Sequence, residues 1–185
     1  MLFHDALIGY LFLYFTLLPC CLAVTQFKIS KAKLDWDLKS AVLLRFPDTP
    51  DSVRSKPTET WLRFRNDYLN SKEPVVTFVA KECKTGAIIG AIDMNPGTNF
   101  IVHLAVDKNF RRLGIASALL SYAFISQREQ GGTKDDDMML QVENHNMGAR
   151  KLYEKMGFEL MKGTPWFYGS RFCPSMLICY TRKLG

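Results

Sequence analysis

The pattern of apolar and polar positions divides the chain into two unlike parts. From Ala6 to Val24 the run ALIGYLFLYFTLLPCCLAV carries no charge, and only Gly9, Thr16 and Pro19 fall outside the apolar set. As a helix it would span roughly 28 Å, near the thickness of a bilayer core. After residue 24 the pattern shortens and begins to alternate. Thr25 to Lys33 predicts a strand with Phe27 and Ile29 on one face, and Asp35 to Phe46 a helix stopped by Pro47. A Pro/Asp/Ser loop leads to a second helix over Thr58 to Leu69.

Val75 to Ala80 and Ala87 to Met94 predict a hairpin turning at Lys84-Thr85-Gly86, and Asn95-Pro96-Gly97 marks a further turn. Phe100 to Val106 predicts a strand and Arg112 to Gln130 a long helix that Gly131-Gly132 ends. Met138 to Val142 is another strand, and Asn146 to Lys155 a short helix with Gly157 as its C-terminal cap. Strand-like runs at Trp166 to Tyr168 and Met176 to Thr181 close the chain. The strand–helix–strand order after residue 100 requires a parallel pair, and the hairpin before it is antiparallel. The sequence therefore predicts residues 1–24 as a hydrophobic leader and residues 25–185 as one α/β domain with a mixed sheet.

The leader has three readings. Cys21-Leu22-Ala23 suits cleavage of a signal peptide, although His4 and Asp5 stand where such a peptide carries Lys or Arg. Lys28, Lys31 and Lys33 downstream suit a membrane anchor with the domain facing the cytoplasm, by the positive-inside rule. A helix packed on its own domain, or an extension of the gene model, is the third. The expectation is the anchor, with secretion after cleavage or a soluble cytoplasmic chain as alternatives.

Composition narrows the class. The 185 residues are 48% hydrophobic and 23% charged, which excludes wholesale disorder and leaves room for one domain of ordinary size. Five cysteines, without Cys-x-x-Cys or His/Cys spacing, exclude a disulfide-stapled miniprotein and predict no metal site. A net charge of +6 suits a soluble surface with excess Lys as well as it suits a polyanionic partner (nucleic acid, a membrane surface or a phosphorylated cofactor), and no nucleic-acid-binding module is recognisable.

Chemistry concentrates in two segments. In Leu104-Ala105-Val106-Asp107-Lys108-Asn109-Phe110-Arg111-Arg112-Leu113-Gly114-Ile115-Ala116 a strand enters a basic turn that opens a helix. A helix N-terminus offers unpaired N–H groups and about half a positive charge, which suits a phosphate. Gly114 and Ala116 keep bulk away, and Arg111 and Arg112 add charged donors. Neither a Walker A loop nor a Gly-x-Gly-x-x-Gly loop is present. Taken alone, the turn is equally well an ordinary strand-to-helix connection. The second segment runs from Leu140 to Phe158. On a helix Asn146, Ala149 or Arg150, and Tyr153 share one face. Asn146 can pair with an amide, Ala149 leaves room for a slender chain, and Tyr153 offers a phenol that can protonate a leaving anion. Equally, Asn146 can be a helix cap and Tyr153 a packed aromatic. The acidic run Asp135-Asp136-Asp137 reads as a solvated turn at the far end of the long helix.

Together, Arg111-x-x-Gly114-x-Ala116 and Asn146-x-x-Ala149-x-x-Leu152-Tyr153-x-Lys155-x-Gly157-Phe158 resemble the two motifs of the GNAT superfamily of N-acetyltransferases, in the family's order and each after a strand. The resemblance is specific from Leu104 to Phe158 and looser over the rest of residues 25–185. It implies a splayed, mixed, mostly antiparallel sheet flanked by helices. It implies acetyl-CoA as cosubstrate, with no metal, and direct attack of a primary amine on the thioester. The backbone of Leu104 and Val106 would hold the pantetheine or thioester carbonyl. Amides of Arg111, Arg112, Leu113, Gly114, Ile115, Ala116 and Ser117 would take the pyrophosphate. Asn146 and Ala149 would line the pantetheine, and Tyr153 would protonate the CoA thiolate. Lys108 departs from the family, many members of which have Pro there. A base must deprotonate the amine. Glu143 is the first candidate, His103 and Asp93 follow, and bulk water is the remaining acceptor. Trp61, Phe64, Tyr68, Trp166, Phe167 and Tyr168 are candidates for an acceptor pocket, or for core. The alternative function is a non-catalytic acyl-CoA-binding or membrane-tethered sensor on the same fold.

Overall fold

In the computed structural model, residues 25–32, 35–45, 75–130, 137–161 and 177–183 are described. The hydrophobic run 6–24, the expected second helix and the aromatic acceptor candidates lie outside them. No helix among the described residues is long and apolar enough to cross a membrane.

Seven strands form one sheet. They are β1 (Phe27–Lys31), β2 (Val76–Glu82), β3 (Ile88–Asn95), β4 (Phe100–Val106), β5 (Asp137–Glu143), β6 (Glu159–Leu160) and β7 (Leu177–Lys183), in the spatial order β1-β2-β3-β4-β5-β7-β6. Every pairing is antiparallel except β4 with β5. The helices are α1 (Asp35–Arg45), α2 (Ile115–Glu129) and α3 (Met147–Lys155).

The two faces of the sheet differ chemically. Alternation along each strand sends successive side chains to opposite faces. Ile92, Met138, Leu140, Val142 and Tyr180 join Ile115, Leu119 and Phe124 of α2 and Tyr153 of α3 in the larger core. The opposite face packs Val79 and Ala91 against Ala41 of α1. It also buries charge. Asp93 of β3 is fully buried and ion-paired to Arg45 of α1, and it accepts a hydrogen bond from Thr77 of β2. Asp37 of α1 pairs with Lys81 of β2 at 2.7 Å.

The α2 face leaves no room at Gly90. A Cβ there would stand 2.8 Å from Ile115 Cγ2 and 3.0 Å from Leu119 Cδ1. Gly90→Ala is expected to cost about 1–3 kcal/mol by overpacking, read as a lowered midpoint in thermal or denaturant unfolding. Because Ile115 is the first residue of α2, the same methyl would push on the turn that precedes that helix.

Two expectations are corrected. The long helix starts at Ile115, not Arg112. Arg112 and Gly114 both have positive φ (65° and 80°), a conformation that cannot propagate a right-handed helix. Asp137 is not part of a solvated turn. It is the first residue of β5 and accepts a hydrogen bond from Thr181 Oγ1 at 2.9 Å.

Candidate active site

The site begins with a failure of pairing. β4 and β5 are in register only at Phe100–Met139 and Ile101–Leu140. Beyond that point β4 continues beside β3 and β5 beside β7, so the two strands enclose a fork. A β-bulge prepares its β4 wall. Asp93 pairs with His103 but Met94 pairs with Ile101, so Val102 is an extra residue. After the bulge, Asp107 N–H donates to Ile89 O of β3 at 3.0 Å. Alternation of the ladder then turns the backbone groups of Val106 and Leu104 away from β3, toward the side that β5 has left. These are the two residues expected to hold a pantetheine or thioester carbonyl. The Val106 carbonyl accepts from Arg111 Nε at 3.2 Å.

The turn after β4 brings together the residues expected to form an anion cradle. A 3₁₀ turn, Lys108–Phe110, is capped by Asp107, whose Oδ1 accepts from Asn109 N–H at 2.8 Å. The side-chain cap closes the turn without the proline many relatives have at Lys108. Arg112 then takes positive φ, and Gly114 caps α2 with φ 80°. Backbone that enters and leaves the left-handed region points successive N–H groups to one side. The first turn of α2, with Ile115, Ala116 and Ser117, adds the amides that a helix leaves unpaired. Arg111, Arg112 and Leu113 are exposed around it. A Cβ on Gly114 would meet nothing within 4 Å, so the space beside it is open. Gly114→Ala is expected to cost about 1–2 kcal/mol in backbone strain alone. The cost should be read as a lowered midpoint in denaturant unfolding.

On the β5 side, Asn146 is the N-cap of α3, and its Oδ1 accepts from Ala149 N–H at 3.1 Å. The capping reading therefore describes its oxygen, while its NH₂ retains two donors. Ala149 is half-buried on the same helix. Tyr153 is buried among Phe158 and Tyr180, with ring centroids 6.0 and 6.1 Å away. Burial pushes its phenol up to about 12, so it keeps its proton throughout the neutral range. Gly157, with φ 81°, ends α3 as expected and lets Phe158 N–H return to Tyr153 O at 3.0 Å.

Glu143 ends β5, more than half exposed, with Oε2 3.3 Å from Nε2 of the exposed His145. By alternation it lies on the α1 face, opposite Tyr153, as does Gln141, whose amide donates toward Cys179 Sγ at 3.5 Å. His103 is on that face too, opposite the buried Asp93. No group of three or more His, Cys, Asp or Glu among the described residues could hold a metal ion.

Sequence reasoning missed the support behind Tyr153. Tyr180 of β7 donates to Glu154 Oε1 at 2.8 Å and accepts from Arg150 Nε at 3.4 Å, and Arg150 Nη1 donates to Asn144 O and Oδ1. The net ties α3 to β7 and to the loop after β5. The alternation Ile178-Tyr180-Arg182 signals a strand, but nothing local pairs Tyr180 with a helix 26 residues away.

A fork between parallel strands, a turn with two left-handed residues after the first and a helix with a buried tyrosine after the second are the arrangement that the sequence resemblance implied. The chain belongs to the acetyltransferase (GNAT) family, whose model matches residues 40–158. It is 31% identical to N-alpha-acetyltransferase 30 of Homo sapiens over 121 residues, 62% of this chain and 32% of that one. It is 37% identical to N-alpha-acetyltransferase 30 of Saccharomyces cerevisiae over 106 residues, 51% of this chain and 58% of that one. The chain thus spans a third to somewhat over half of the length of these relatives. Among solved structures, the ribosomal-protein-S18-alanine N-acetyltransferase of Escherichia coli superposes with a TM-score of 0.60 at 18% identity, covering 86% of this chain and 95% of that one. Ard1 of Thermoplasma volcanium gives 0.59 at 22%, covering 85% and 97%. These similarities are of fold.

Proposed function

We propose that this chain is an acetyl-CoA-dependent N-acetyltransferase that moves an acetyl group to a primary amine by direct attack. The observation that carries the proposal is the fork itself: Leu104 and Val106 turn their backbone into a gap between strands, with an anion cradle at its mouth. Amides from Arg111 to Ser117 would hold the pyrophosphate, and Asn146 and Ala149 would line the pantetheine. Acetyl-CoA supplies a thioester carbon open to a nucleophile. The relatives' name points to an α-amino group as acceptor, the amine found at a peptide N-terminus.

Tyr153 would act as the acid. When the amine nitrogen bonds to the carbonyl carbon, the carbon–sulfur bond breaks and the thiolate needs a proton. The Tyr153 phenol carries a proton at neutral pH and would supply it. The second reading is a non-catalytic acyl-CoA-binding sensor on the same fold. Full-length protein mixed with acetyl-CoA and short peptides bearing free N-termini should release CoA thiol. Folded protein that binds acetyl-CoA without thiol release would favour the sensor. Folded protein that does not bind it would end the acetyltransferase reading.

A further inference from the structure

We infer that Tyr180 of β7 is a positioning residue for the reaction: its hydroxyl, bonded to both Glu154 and Arg150, fixes α3 on the sheet and so sets where the Tyr153 phenol stands beside the fork. The inference rests on the N-acetyltransferase reading, with Tyr153 as its acid.

Little else fixes α3. The helix is nine residues long, and a helix shorter than about 12 residues is marginal by itself. Its ends are closed locally, by Asn146 on Ala149 N–H and by the left-handed Gly157. Those closures form the helix without saying where it lies. Tyr153 is its one buried residue, and Ala149 and Leu152 pack partly beside it. These contacts are apolar, and apolar packing is non-directional. Among the described residues nothing hydrogen-bonds the Tyr153 hydroxyl, so its place is set by ring packing and by the helix that carries it. An acid needs more than that, because it must come within about 2.6–3.2 Å of the atom it protonates.

Tyr180 supplies the direction. It is fully buried and stands opposite Leu140 in the β5–β7 ladder, so the sheet fixes its ring. That ring lies tilted against the ring of Tyr153, with centroids 6.1 Å apart. Its hydroxyl donates to Glu154 Oε1 at 2.8 Å and accepts from Arg150 Nε at 3.4 Å. Residues 150 and 154 are one helical turn apart on a single face, and Tyr153 lies between them in the chain. Two bonds from successive turns to one oxygen hold both the height of α3 along β7 and its rotation about its own axis. Arg150 Nη1 also donates to Asn144 O and Oδ1, both at 3.1 Å, which carries the tie back to the end of β5. The net thus joins the strand that walls the fork, the strand behind it and the helix that bears the acid.

A purely structural role predicts something different from a positioning role. Tyr180→Phe keeps the ring in the core and removes one oxygen. Glu154 is exposed, so its carboxylate returns to water, and Arg150 keeps Asn144. No buried group is left without a partner, and the cost to the fold is small. The helix, however, loses the point that registers it on β7. A misplacement of about 1 Å can cost about 10²-fold in rate. A helix that is loosened while its packing survives should lose less than that, about tenfold.

The test is a double-mutant cycle on the full-length protein, with Tyr180→Phe and Tyr153→Phe made singly and together. Each protein is checked for folding by circular dichroism and for acetyl-CoA affinity by calorimetry, then assayed for kcat with a saturating peptide. Tyr180→Phe is expected to lose about tenfold in kcat and to bind acetyl-CoA within about twofold of the parent. In the Tyr153→Phe background the same change is expected to cost less than about twofold, because the group it positions is already gone. Two further variants test the bond itself. Glu154→Ala should match Tyr180→Phe, and Glu154→Gln, which keeps a carbonyl for the Tyr180 hydroxyl, should recover most of the rate. Tyr180→Phe at the parental rate overturns the inference, and so does an equal loss in both backgrounds, which is the mark of a merely structural residue. Glu154→Gln as slow as Glu154→Ala assigns the loss to charge and overturns the hydrogen-bonded tie. A parent protein that releases no CoA thiol fails earlier, at the acetyltransferase reading, and shows it before any variant is made.

Discussion

Tyr153→Phe is expected to lower kcat by about 10²–10³-fold while leaving acetyl-CoA affinity nearly unchanged. The substitution removes one oxygen and its proton and keeps the ring. That ring packs edge-on to Phe158 and tilted to Tyr180, so the larger core should survive the change. A phenol pushed up to about 12 by burial keeps its proton across the neutral range, and the loss should therefore be independent of pH from 6 to well above 8. Steady-state release of CoA thiol, with calorimetry for the cofactor, separates the two effects. An unchanged rate would remove Tyr153 from the chemistry, and a parallel loss of affinity would make it part of the binding wall instead.

The second large effect concerns stability. Arg45→Met is expected to destabilise the fold by about 3–5 kcal/mol, because it leaves the Asp93 carboxylate buried without its cationic partner. Against a typical total of about 5–15 kcal/mol this is a large share. The sign with pH follows from the direction of the Asp93 shift. Its carboxyl is held below its ordinary value of 3.8 in the folded state, so the ion pair stabilises the parent protein fully above that value. The contribution is lost as pH falls through the depressed folded value. Denaturant unfolding at neutral pH and again near pH 3 should show the gap between parent and variant narrowing in acid. A gap that stays constant would mean that the cost arises from packing.

Much of this was legible in the sequence because short-range signals happened to carry it. Gly157 after Tyr153-Glu154-Lys155-Met156 marks a helix end, and the structure gives it a φ of 81°. The residues of α3 lie where they were expected because each is fixed by neighbours a few positions away. The start of α2 was misread for the same reason: Arg112 is helix-compatible by residue type, and only the geometry of the turn excludes it. What could not be read is everything that pairs across strands. Nothing near Asp93 in the chain announces that Arg45, 48 positions earlier, will neutralise it, or that His103 will face it across β3 and β4. His103 in the sequence is one histidine in an apolar strand, and its meaning comes from the residue opposite.

A strand has a period of two, so one residue added to a regular ladder exchanges inside for outside in everything that follows. Were Val102 paired in an unbroken ladder, it would stand opposite Asp93, and His103 would stand opposite Ile92 in the layer that packs on α2. The bulge takes up that one residue, so His103 stays opposite Asp93 and Leu104 opposite Ile92. Removing Val102 would leave those pairs in a regular ladder: the extra residue alters the course of the strand and spares the identity of its two sides.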